Sequence, residues 1–218
     1  MGKEAKILIA VAAVVAVGVS TLILVNGKDT SEVAPKAGGD TLVREDSYQT
    51  NKGAPVTVVE FGDYQCPACA AAQPQLEQIK AQYGAKVNVV FRHFPLSDIH
   101  PNAKNSAEAA EAAGAQGKFY EMTNALYQQQ QQWSAAQNPT NVFVTIAQGL
   151  GLDVNQFRSD IESNRFLDKI NRDLADANGL KLQATPTFFV NGTQVEDVSG
   201  LKAAIDAALK TASPAPAG

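Results

Sequence analysis

The stretch "PVTVVEF", Pro55 to Phe61, constrains the fold of this chain more than any other. It is β-branched and almost wholly apolar, bounded by Gly-Ala-Pro and Gly-Asp, the pattern of a strand buried on both faces. After it, Pro67 to Tyr83 carries helical spacing: Leu76, Ile79 and Tyr83 fall at i, i+3 and i+7, and Gly84 supplies a stop. "AKVNVVFRHF" is then a second strand, and strand–helix–strand implies a parallel pair. From about residue 101 to 180 the pattern is helical throughout, ending on Asn178-Gly179. Strand signal returns in "TPTFFVNGTQVED", two short runs around the hairpin marker Asn191-Gly192. "SGLKAAIDAALK" is a final amphipathic helix with Ser199 as the expected N-cap. The class is α/β, ordered β–α–β, a helical insertion, then β–β–α. Within the insertion, Gln128 to Gln132 reads as a solvated helix end and Trp133 as core.

Both cysteines of the chain, Cys66 and Cys69, stand where the first strand gives way to the first helix. Helix positions i and i+3 share a face, so the two can bridge one another. Pro67 suits the first helical position, where no backbone N–H is needed. Cys66 then lies near the N-cap, facing free amide N–H groups and the positive end of the helix dipole, both of which favour thiolate. Three readings compete. A structural disulfide closing so short a loop constrains the unfolded chain little. A zinc half-site needs two more ligands, and only His93 and His100 exist, at a spacing wider than zinc motifs use. A redox dithiol fits the placement at a helix start best. No metal and no organic cofactor is expected.

Ahead of this domain, Ile7 to Val25 carries no charge over 19 positions, roughly 28 Å of helix and close to a bilayer's hydrocarbon thickness. It is expected to be a single transmembrane anchor behind a short cytoplasmic stub (residues 1–25), in competition with a cleaved signal peptide. Residues 26–40 read as a flexible tether, with a short strand expected near Thr41 to Arg44, and residues 211–218 as a disordered tail. Net charge is −4 without a basic cluster, which argues against a nucleic-acid partner.

The segments "VVEFGDYQCPAC", "VVFRHFPL", "HPNAKNSAEAAEAAGAQGKFYEM" and "ATPTFFVNG" together resemble the DsbA-like thiol–disulfide oxidoreductases, in particular their membrane-anchored, BdbD-like branch. The resemblance spans residues 41–210 and implies a thioredoxin-like fold with an inserted helical domain. It implies that Cys66 is the exposed nucleophile, that Cys69 is its buried resolving partner, and that the two form a redox-active disulfide. Pro186 takes the place of the family's cis-proline, with the Thr185 backbone offered to substrate, and Pro67 and Ala68 flank the nucleophile on the substrate side. Ala68 stands where the family's best-known oxidant has histidine, which leaves the helix terminus to tune Cys66. Glu60, a lone acid in an apolar strand, is costly without a task; the plausible one is to exchange a proton with Cys69. His93 reads as a satisfied histidine, and His100 as the entrance to the insertion.

The resemblance implies an enzyme that introduces disulfides into exported proteins bearing free thiols. Its expected place is the extracytoplasmic face of a bacterial cytoplasmic membrane, where thiols are not kept reduced. A membrane quinone-linked partner of the DsbB or VKOR type is implied as the reoxidant. An anchored reductase or isomerase, and a binding module with a structural disulfide, are the alternatives.

Overall fold

The computed structural model describes residues 42–212. The expected anchor at Ile7–Val25 and tether at 26–40 lie outside these residues. Among the described residues, no helix is long and apolar enough to cross a membrane.

Four strands form one sheet in the order β2-β1-β3-β4. Strand β1 (Val56–Gly62) and β2 (Val87–His93) run parallel, Val56 opposite Val87 and Gly62 opposite His93. Helix α1 (Pro67–Tyr83) connects them, since two parallel neighbours need a crossover. It ends at Gly84, whose φ of 51° belongs to the left-handed region that glycine enters without steric cost. Strand β3 (Thr187–Val190) lies antiparallel on the other side of β1, and β4 (Thr193–Val195) completes a hairpin. Its two-residue turn has φ of 47° at Asn191 and 85° at Gly192, the pair of positive angles that Asn-Gly tolerates best.

Alternation along the strands divides the domain into layers. Val56 and Val58 of β1, Val87 and Val89 of β2, and Phe188 and Val190 of β3 face Leu76 and Ile79 of α1 and Leu201 and Ile205 of α8 (Leu201–Thr211). The intervening Val59, Phe61, Val90 and Phe189 face Ala177 of α7 (Leu167–Gly179). Period two thus places Glu60 on the same side as Val56 and Val58, toward α1. Between β2 and α7 the insertion adds α2 (Ala103–Gly114), α3 (Phe119–Gln128), the single turn α4 (Gln130–Trp133), α5 (Thr140–Gly149) and α6 (Val154–Glu162). Alanines 109, 110, 112 and 113 of α2 let neighbouring helices approach, and Trp133, Phe143 and Phe157 fill the space between them. These five helices run from Ala103 to Glu162, while α7, which falls within the range expected for the insertion, packs on the sheet.

Three local expectations are corrected. Residues 42–44 form no strand; pairing by the N-terminal segment is a single bridge from Gln49 to Val90, because its side chains serve polar anchoring instead. The last helix is not capped by Ser199: Asp197 accepts from the N–H groups of Ser199 and Gly200, one turn earlier, through a 3₁₀ turn at Val198–Gly200. α7 ends on Gly179 as expected, and the left-handed φ of 58° that turns the chain falls two residues later, at Lys181. Thr211 belongs to α8 rather than to the tail.

A buried ion network fastens α7 to the end of β2. The Arg92 side chain at the end of β2 is 0% exposed; its Nε donates to Asp173 Oδ1 at 2.8 Å and another guanidinium N–H donates to the Leu42 carbonyl at 2.8 Å. A further one reaches Asp176 Oδ2 at 2.5 Å. Arg44 then takes both oxygens of Asp176, at 2.6 and 2.7 Å. Burial works against the Asp176 carboxylate, but the bonds from Arg44 and Arg92 hold its pKa below the ordinary 3.8. A depressed carboxylate stabilises the fold above its unfolded pKa and ceases to do so as pH falls through the folded one. Arg92→Met strands Asp173 as a buried charge, and chemical denaturation is expected to show a loss of about 3–5 kcal/mol at neutral pH. The Asp176 share of the loss should shrink below about pH 4, as that carboxylate is protonated and no longer needs the cation.

Candidate active site

The chain leaves β1 at Gly62 and enters α1 at Pro67, so the intervening turn lies at the carboxyl end of the central strand. Cys66 is the N-cap residue of α1, with φ −70° and ψ 121°, and Pro67 occupies the first helical position as expected. Asp63 closes the turn: its carbonyl accepts from the Cys66 N–H at 3.0 Å and its carboxylate from the Gln65 N–H at 2.8 Å. The other Asp63 oxygen binds the Leu96 N–H at 2.9 Å and His100 Nδ1 at 2.8 Å.

Cys66 and Cys69 are free thiols here, one helical turn apart. The expected exposed nucleophile is corrected: Cys66 is only 7% exposed, against 0% for Cys69. The reason is the loop before β3, which the fold brings over the helix terminus. There the Thr185–Pro186 peptide bond is cis, and Cys66 Sγ donates to the Thr185 carbonyl at 3.4 Å. Thr185 is buried, with its hydroxyl beside the sulfur, while Pro67 and Ala68 are exposed on the other side. Sequence-distant Thr185 and Pro186 are therefore assembled with Cys66 as the motif implied.

The electrostatics of the two thiols diverge. The hydrogen bond from Cys69 lowers the Cys66 pKa most; burial opposes it, and the Thr185 hydroxyl and the N–H groups of Cys69 and Ala68 add to the lowering. The result is about 5, against an ordinary 9.0. Cys69 is pushed well above its ordinary value, chiefly by burial, then by its bond to Cys66 and the nearby Glu60 carboxyl. Glu60 itself is 1% exposed, and its Oε2 finds no partner. Burial first, and the charge on Cys66 second, raise its pKa from 4.5 to about 8, with Lys80 pulling the other way. A thiolate-prone sulfur, a protonated resolving thiol and a carboxyl that titrates near neutrality can together break and re-form a disulfide and move one proton.

The histidines take other posts. His93 Nε2 meets Glu111 Oε1 at 2.8 Å inside the insertion, where Lys169 holds the same carboxylate at 2.6 and 2.8 Å. His100, just ahead of α2, orients Asp63. Among the described residues no group of three or more His, Cys, Asp or Glu side chains could hold a metal ion.

Several contributors were missed from sequence. Asp63 was legible in principle, as the acid ending a strand just before the motif. Gln65 and Asn102 were not: Gln65 Nε2 donates to the Ser134 carbonyl at 2.8 Å, and its Oε1 accepts from the Asn102 N–H at 2.6 Å. Nor was Gln130, whose amide donates to the carbonyls of Tyr64 at 2.8 Å and Cys66 at 3.0 Å. The solvated helix end expected for this glutamine run is thus corrected at one of its five members. Trp133 is core as expected, 0% exposed, with its indole N–H on the Leu126 carbonyl.

A family model described as Thioredoxin matches residues 44–207. A thioredoxin-like oxidoreductase from Silicibacter pomeroyi DSS-3 is 30% identical, with a TM-score of 0.66 over 81% of this chain and 100% of that one. BdbD from Bacillus subtilis, in its oxidised form, shares the fold at 20% identity, with a TM-score of 0.70 over 82% of this chain and 98% of that one. A curated relative in Mycobacterium sp. (strain KMS), named Na(+)/H(+) antiporter NhaA 1, is 37% identical over 167 residues, 72% of this chain and 26% of the relative. This chain therefore spans about a quarter of the length of the curated relatives it matches. Built on this sheet, with Cys66 and Cys69 at the helix terminus and a cis-proline beside them, the chain belongs to the thioredoxin family.

Proposed function

We propose that this protein is a thiol–disulfide oxidoreductase that introduces disulfide bonds into exported proteins through Cys66-Pro67-Ala68-Cys69. The observation that carries the reading is the split between the two thiols, Cys66 lowered to about 5 and Cys69 raised. A stabilised thiolate favours the reduced form of the pair, and a pair that prefers to be reduced is an oxidant of other thiols.

In the oxidised enzyme a substrate thiolate attacks Cys66 Sγ. A bond forms between the two sulfurs, the Cys66–Cys69 bond breaks, and Cys69 leaves as a thiolate in a buried setting that disfavours its charge. Glu60, protonated at neutral pH, gives that sulfur its proton. The second substrate thiolate then attacks the substrate sulfur of the mixed disulfide and expels Cys66, whose low pKa makes it a good leaving group. The substrate loses two electrons and the enzyme gains them. During both steps the Thr185 peptide group lies beside the reacting sulfur, and Pro67 and Ala68 leave the other side open for an extended chain.

Continuous turnover requires that the dithiol pass its electrons on, for which a membrane quinone-linked reoxidase of the DsbB or VKOR type is the proposed partner. The apolar stretch Ile7–Val25 is the proposed single-pass anchor in a bacterial cytoplasmic membrane, with the catalytic domain on the extracytoplasmic side. Tethering would raise the local concentration of the domain near such a partner.

The deciding measurement is the reduction potential of the Cys66–Cys69 pair, equilibrated in glutathione buffers and read by alkylation and mass shift. A value well above the roughly −270 mV of thioredoxin is expected; a value near it would make the protein a reductant instead. Cys69→Ala removes the largest stabiliser of the Cys66 thiolate, so its absorbance inflection should rise from about 5 by about one unit. Glu60→Gln should slow disulfide transfer to a dithiol peptide by about 10²-fold, toward the lower end of general acid catalysis. The same variant tests the buried carboxyl thermodynamically. An acid whose pKa is raised on folding costs stability as pH climbs from its unfolded value toward its folded one. Glu60→Gln should therefore be more stable than the parent by about 2–4 kcal/mol near pH 8 and indistinguishable from it near pH 4.

A further inference from the structure

The glutamine run at 128–132 has no part in the exchange chemistry above, yet one of its members touches the active-site turn. Gln130 opens the single turn α4 in the inserted domain, and its Nε2 bridges the carbonyl oxygens of Tyr64 and Cys66 at 2.8 and 3.0 Å. These two carbonyls belong to the Tyr64–Gln65 and Cys66–Pro67 peptide units, with the Gln65–Cys66 link that leads into the nucleophile between them. The Cys66 carbonyl is also the first acceptor of α1, taking the Ala70 N–H at 3.2 Å.

The segment that carries Gln130 is itself held rigidly. Asn102 Nδ2 binds the carbonyls of Ser134 at 3.2 Å and Ala136 at 2.8 Å, and Gln65 Nε2 binds Ser134 from the active-site side. Trp133, fully buried, pins the end of α4 in the insertion core. A side-chain amide on so fixed a base acts as a bracket rather than as a surface contact.

From this placement we infer that Gln130 is a positioning residue for Cys66, through which the inserted domain sets the reactivity of the thiol. The inference rests on the thiol–disulfide reading of the site. Two physical effects run in the same direction. The N–H groups of Ala68 and Cys69 stabilise a thiolate only while the Cys66 backbone stays in its N-cap conformation, and Gln130 holds the carbonyl of Cys66 itself and that of Tyr64 two residues earlier. Its N–H groups also neutralise the negative ends of these two carbonyl dipoles, one of them on Cys66 itself, which would otherwise disfavour a thiolate. Gln131 and Gln132, next in sequence, are exposed and supply internal controls.

The test is a thiolate titration by ultraviolet absorbance on the wild-type protein and on Gln130→Met, Gln131→Met and Gln132→Met, with thermal unfolding on each. Wild type should show its inflection near 5, and Gln130→Met should shift it upward by about half a unit to one unit. Alkylation of Cys66 at acid pH, and the equilibrium constant for reduction by glutathione, should each fall about three- to tenfold. The two control variants should match wild type. A purely structural glutamine would lower the melting temperature without moving the inflection. If Gln130→Met does not fold, Gln130→Asn carries the same test, because its amide is one methylene too short to bridge both carbonyls. A folded Gln130 variant with an unmoved inflection overturns the inference and leaves the proposed function standing. A wild-type inflection near the ordinary thiol value of 9.0 overturns the proposed function and the inference together.

Discussion

A sulfur at the positive end of a helix is the interaction on which the rest of this molecule depends. Cys66 caps a 17-residue helix without any side-chain cap of its own, so the first amide groups of α1 remain available to its sulfur. The next two links of the arrangement follow from geometry. Cys69, one turn on, can donate to that sulfur, and because it lies inside the protein it gains nothing by ionising itself. The chemistry is thus asymmetric before any substrate arrives: one thiol is prepared to leave, and the other to hold its proton.

That asymmetry needs a dry and ordered surrounding, which two separate polar frameworks supply. Asp63, fixed by Leu96 and His100, shapes the turn from the sheet side, while Gln65, Asn102 and Gln130 shape it from the insertion. Far from the sulfurs, Arg92 with Asp173 and Asp176 fastens α7 to the end of β2, so the insertion returns to the sheet at a fixed place. His93, adjacent to Arg92, is locked onto Glu111, and its backbone N–H is taken by Asp173. Every one of these groups is a polar residue whose burial costs free energy unless its partners are in position. Their mutual satisfaction ties the placement of the helical domain to the geometry of the active-site turn.

Glu60 departs from this rule. One of its oxygens is left without a partner beneath the active-site helix, and burial raises its pKa into the neutral range. Stability alone would favour an apolar residue there, in line with the Val56 and Val58 that share its face. A carboxyl kept at such a cost beside a buried thiol suits the proton transfer proposed for it.

Much of this was legible in the chain itself. Short-range rules sufficed for the parallel β1–α1–β2 unit, the Asn191-Gly192 hairpin, the helical insertion and the placement of Cys66 and Cys69 at a helix start, because periodicity, turn chemistry and cap position act within a few residues. Thr185 and Pro186 were tied to the cysteines by the resemblance of "ATPTF" to a known motif, not by any spacing. The tertiary structure alone decided how deeply Cys66 is covered, because that depends on the Thr185 loop arriving from 119 residues away. It alone picked Gln130 out of five identical neighbours, since the distinction lies in which side of a single helical turn faces Tyr64 and Cys66. Composition and pattern determine which elements form and which faces are apolar; which polar atoms meet is settled only when those elements pack, for a hydrogen bond is made or lost within a fraction of an ångström.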